Sequence, residues 1–87
     1  MSTILTTNLM TKRDASNATG ISIPTITRAV NAGELPAEYQ GGRYSILPAD
    51  LYRYAELMAD RNSSRMYPLY WIRNYLATFH GYHAGEG

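Results

Sequence analysis

The sequence predicts a mainly α-helical domain with one small β-hairpin and an additional C-terminal helix. Three observations predict it: two short helix signals separated by Thr19-Gly20, a Gly-Gly turn at Gln40-Gly41-Gly42-Arg43, and two further helix-length apolar stripes beyond Pro48 and Pro68. With 87 residues the chain has room for one small core, 45% of its residues are hydrophobic, and 17% are charged. That balance belongs to a folded domain rather than a disordered chain.

Residues 1–9 carry neither a helical nor a strand period and are expected to form a flexible arm. At Thr11-Lys12-Arg13-Asp14 a hydroxyl residue precedes a carboxylate by three positions, the spacing of a reciprocal helix cap, so a helix is expected over about Lys12 to Ala18. Gly20 supplies the turn that ends it. Ser22 then caps a second helix, with Pro24 in its first turn. Ile26, Ala29 and Val30 form its inward stripe, leaving Ile23, Thr27, Arg28 and Asn31 outward.

Gly33 and Pro36 close the second helix, and Ala37 to Ile46 reads as two short strands around the glycine pair. Pro48-Ala49-Asp50 opens a third helix, to about Asp60, with Leu51, Tyr54, Ala55 and Met58 inward. Polar residues Arg61 to Arg65 read as a hinge. A fourth helix is expected from Pro68 to Phe79, with Leu69, Ile72, Leu76 and Phe79 in one stripe and Tyr70, Trp71 and Tyr75 broadening it. Gly81 to Gly87 reads as a frayed tail. The expected organisation is therefore an arm over 1–9, a core over 10–60, and a linker, aromatic helix and tail over 61–87.

Two short helices joined by a tight turn, the second with a polar outer face and a glycine-tipped hairpin directly after it, are the parts of a winged helix-turn-helix. Such a helix fits the DNA major groove, and a basic hairpin tip reaches the backbone or the neighbouring minor groove. The net charge is only +1, so a DNA-binding face must come from the placement of cations rather than from bulk charge. Expected DNA contacts are Lys12 and Arg13, whose charge opposes the dipole at a helix start; Ser22, Ile23, Pro24, Thr25, Thr27, Arg28 and Asn31 of the second helix; and Gly42, Arg43 and Tyr44 of the wing.

From Leu9 to about Met58 the chain resembles the excisionase-type, MerR-related DNA-binding family. The matching pieces are the Thr11 start with Ala15 inward, the run Gly20 to Val30, the Gly33-Glu34-Leu35-Pro36 exit, the Gly42-Arg43-Tyr44 wing and Ile46 to Leu51. The resemblance implies a second helix in the major groove, a wing on the backbone or minor groove, and a third helix behind. It also implies an architectural role: a phage or mobile-element excisionase, a recombination directionality factor that bends DNA or recruits an integrase without bond chemistry. Other members are small transcriptional regulators, repressors or activators. Ile23-Pro24 stands where many members carry a basic or small polar pair, which points to an apolar contact with a thymine methyl. The segment from Asn62 onward lies outside the family pattern.

That segment leaves two readings open: a fourth helix folded onto the core, or a protein interface formed by Leu69, Trp71, Ile72, Tyr75, Leu76 and Phe79, serving self-association or an adaptor function. No cysteine is present, so disulfides and thiolate zinc sites are excluded. His80 and His83 are spaced like metal ligands, but only Glu86 accompanies them in a glycine-rich stretch, and no metal or cofactor is expected. No nucleophile–base pair, paired carboxylates or phosphate-cradling loop is evident, which argues against an enzyme. Without a secretory or membrane-spanning signal, a cytoplasmic location is expected.

Overall fold

The computed structural model describes residues 10–62 and 66–83. They fold in the order α1 (Lys12–Thr19), α2 (Ile23–Asn31), β1 (Glu38–Gln40), β2 (Arg43–Ser45), α3 (Pro48–Asn62) and α4 (Leu69–His80). This is the expected helix-turn-helix and wing layout with a further helix. The expected arm over 1–9 and the end of the tail at 84–87 lie outside the described residues, as do 63–65 of the expected hinge.

The cap on α1 forms as the spacing predicts. The Thr11 hydroxyl accepts from the Asp14 N–H, and the Asp14 carboxylate accepts from the Thr11 N–H, each at 3.1 Å. At the other end Gly20 adopts φ +80° and donates its N–H to the Ser16 carbonyl at 2.8 Å. Thr19 braces this turn from inside. Its fully buried hydroxyl donates to the Ala15 carbonyl at 2.8 Å and accepts from the Ile21 N–H at 3.1 Å, so the polar group is satisfied where water cannot reach it. Ser22 caps α2 by accepting from the Thr25 N–H at 3.4 Å, with its hydroxyl donating to that of Thr25 at 2.9 Å.

The wing is antiparallel, pairing Glu38 with Ser45, Tyr39 with Tyr44 and Gln40 with Arg43. Its two turn residues, Gly41 and Gly42, hold φ +58° and +82°, the left-handed pair that a two-residue hairpin requires. The Tyr39 and Tyr44 rings meet across the strands with centroids 4.8 Å apart. Met10 exchanges two 2.8 Å backbone hydrogen bonds with Ile46, which ties the entry of α1 to the base of the wing.

One hydrophobic core is shared by the four helices and their connections. Ala15 and Ala18 of α1, Ile26 and Ala29 of α2, Leu35 and Ile46 of the connections, Leu51, Tyr54 and Ala55 of α3, and Ile72 and Leu76 of α4 are buried together. α4 packs against both α3 and α1. Arg61 and Asn62, expected in the linker, continue α3, and Ile72 and Leu76 of α4 join the same core. A helix this apolar must bury one side, and α4 buries the side carrying Ile72 and Leu76.

Of the two readings left open for α4, the core holds for part of the stripe, and one expectation is corrected. Ile72 and Leu76, offered as possible interface residues, are fully buried, and Leu69 is half-buried against the core, so these three are core side chains. The start of the expected frayed tail is packed: Gly81 ends α4 in the left-handed region, the Tyr82 N–H reaches the Leu76 carbonyl at 3.1 Å, and its half-buried ring lies 6.3 Å from that of Tyr52.

Candidate nucleic-acid interface

The twelve residues expected to meet DNA fall into three groups. Lys12, Arg13, Gly42, Arg43 and Tyr44 come together: with Thr11 they line one shallow hollow between the start of α1 and the wing. The Met10–Ile46 bridge explains the juxtaposition, because it clamps Met10, two residues before α1, to the residue after β2. The Lys12 ammonium sits 4.4 Å from the centroid of the Tyr44 ring, a cation–π contact that draws the two elements together at the hollow itself. Three cations line this hollow and no carboxylate does. The nearest acid in sequence, Asp14, is engaged by the Thr11 cap.

Ser22, Thr25 and Arg28 line a second hollow with Gly20, Ile21, Met58 and Met66. They sit on the flank of α2 nearest the end of α3, where Arg28 is exposed and Thr25 half-buried. Ile23, Pro24, Thr27 and Asn31 line neither hollow. Ile23, Pro24 and Asn31 are exposed and Thr27 is half-buried, so they form the outward face of α2 at its first turn and along one side. Ile23 and Pro24 are thus available for apolar contact, the role their chemistry suggests.

Charge is segregated in spite of the near-neutral total. A third hollow, along the outside of α3, is lined by Glu34, Asp50, Glu56 and Asp60 with Arg53 as its single cation. Sequence reading did not anticipate this acidic groove, since its members are scattered over 27 positions and only the packing of the α2–β1 connection beside α3 collects them. Thr11 likewise emerges as both a cap and a wall of the cationic hollow. The buried Tyr54 lines the acidic groove, and its hydroxyl pKa is raised above the ordinary tyrosine value, first by desolvation and then by the charge of Glu34, with Arg61 and Arg28 acting in the opposite direction.

Tyr67 supplies a contact that the sequence did not reveal. Its N–H donates to the Thr19 carbonyl at 2.8 Å, and its ring covers Gly20 so closely that a Cβ there would lie 3.2 Å from two ring carbons. The turn between α1 and α2 is thereby fixed from above by the segment that leads into α4. Among the described residues no three metal-ligating side chains cluster, and no helix is long and apolar enough to cross a membrane. Glu86 lies outside the described residues.

No family model, curated protein or solved structure matches this chain.

Proposed function

We propose that this protein binds double-stranded DNA sequence-specifically and acts in the cytoplasm as a small architectural factor of the excisionase type, directing an integrase rather than performing bond chemistry. The observation that carries the proposal is the acid-free hollow in which Lys12, Arg13 and Arg43 converge between α1 and the wing, next to a helix-turn-helix whose second helix presents Ile23, Pro24, Thr27 and Asn31 outward. Cations gathered in one hollow suit phosphate oxygens, and phosphate contacts set register on the duplex. The outward side chains of α2 then read base edges, with Asn31 able to pair with adenine and Ile23 with a thymine methyl. Arg28, on the α3 flank, reaches a groove edge or a phosphate.

Footprinting on DNA from the source locus tests this reading. Protection of phased repeats next to an attachment site supports the architectural role. A single protected operator over a promoter assigns the same face to a transcriptional regulator, and no protection at low salt refutes DNA binding.

A further inference from the structure

Tyr67, just before α4, and Trp71, Tyr75 and Phe79 on it recur every fourth residue and form a continuous aromatic ridge. Successive ring centroids lie 4.4, 5.3 and 4.6 Å apart. Beside the ridge runs a parallel row, Tyr70, Asn74 and Thr78, in which the last two side chains are small and polar. Trp71, Asn74, Tyr75, Thr78 and Phe79 together line a shallow groove. The ridge borders the face that Ile72 and Leu76 bury; Tyr75 is half-buried at that border, while Trp71, Asn74, Thr78 and Phe79 are exposed.

We propose that a second copy of this chain docks on the strip, the aromatic ridge of each α4 lying in the groove of the other across a two-fold axis. A ridge and a groove of the same four-residue pitch, side by side on one helix, are self-complementary under such an axis. Charge argues for the same occupant. Apart from tyrosines, the ionisable residues of α4 are Arg73 and His80, and neither lines the groove. His80 borders the ridge, its ring 5.9 Å from that of Tyr75, but the groove lining itself offers no cation for nucleic acid and no charge to pair with a charged peptide, so two copies meet along it without like-charge repulsion.

Size sets the strength. Exposed fractions of 43% for Tyr67, 64% for Tyr70, 38% for Trp71 and 65% for Phe79, applied to the ~150–250 Å² that an aromatic side chain can bury, give roughly 300–500 Å² per copy. With Asn74 and Thr78 added, two copies approach ~1,000 Å², the lower end of specific interfaces and the range of weak, reversible association. The dimer therefore forms at high protein concentration, or wherever two copies are held close together.

Sedimentation equilibrium of the full chain without DNA, up to roughly 500 µM where so weak an interface would associate, tests the proposal independently of any DNA reading. The weight-average mass of the wild type should rise toward twice that of the monomer. Phe79→Glu, which sets carboxylates into the facing groove, and Thr78→Arg, which fills the groove, should hold the mass at that of the monomer while a cooperative thermal melt shows each variant still folded. Arg73→Glu, outside the groove, should associate like the wild type. A wild type that stays monomeric throughout overturns the proposal and leaves the strip to a different occupant. Dimerisation that survives both Phe79→Glu and Thr78→Arg places the contact elsewhere and overturns it equally.

Discussion

Leu76 and Phe79 lie less than one turn apart on α4, yet they should respond to truncation very differently. Leu76 is fully buried in the core that α4 shares with α1 and α3, whereas Phe79 is 65% exposed and touches mainly the Tyr75 ring, 4.6 Å away. Leu76→Ala removes a buried side chain and leaves a cavity, at about 2–5 kcal/mol. In a domain of this size that corresponds to a fall in Tm of at least about 10 °C, and it consumes much of a total stability on the order of 5–10 kcal/mol. Phe79→Ala gives up the buried third of one ring and one aromatic pair, about 1 kcal/mol. Circular dichroism melts of the two variants, at a concentration low enough to keep the chain monomeric, should show the Leu76→Ala shift at least twice that of Phe79→Ala. Equal shifts, or a Leu76→Ala shift below about 4 °C, would refute the placement of α4 in the core. By the same reasoning, a fragment ending at Asn62 loses the buried Ile72 and Leu76 together and should show no cooperative melt.

Two further predictions concern the turn and the acidic groove. Gly20→Ala forces an L-residue into the left-handed region at φ +80° and sets a methyl 3.2 Å from the Tyr67 ring, so urea denaturation should show a loss of about 1–2 kcal/mol or more; combining it with Tyr67→Ala should relieve the contact but not the backbone strain, and full recovery would contradict the strain argument. The raised pKa of Tyr54 means that folding favours its neutral form: the resulting stability is complete below the ordinary tyrosine value of about 10 and is lost as pH climbs through the higher folded value. Thermal melts above pH ~10 should therefore fall less steeply for Tyr54→Phe than for the wild type, and identical slopes would remove Tyr54 from the alkaline transition.

Most of the elements were legible because each is announced by residues acting on their own neighbours. The Thr11–Asp14 cap, Ser22 with Pro24, and the Gly41-Gly42 turn all operate within four positions, and each formed where its spacing placed it. Hidden features depend on contacts distant in sequence. Tyr67 over Gly20, Lys12 against Tyr44, and Glu34 beside Asp60 are brought together only by the packed fold. The aromatic helix was ambiguous for a related reason. An apolar stripe shows that a helix has something to cover, but the choice between Ile72 and Phe79 as the covered residue is made by how α4 packs against α1 and α3.

The salt dependence of DNA affinity tests the central claim most directly. Fluorescence anisotropy titrations of source-locus duplex across a salt series should give log affinity falling linearly with log salt for the wild type, since phosphate contacts release counterions. Arg43→Ala should weaken binding and reduce that slope by about 1, the signature of one lost ionic contact, and Arg28→Ala should weaken specific binding by about 1–3 kcal/mol. An affinity that does not respond to salt, or a slope unchanged in Arg43→Ala, would contradict a DNA face built at the hollow between α1 and the wing.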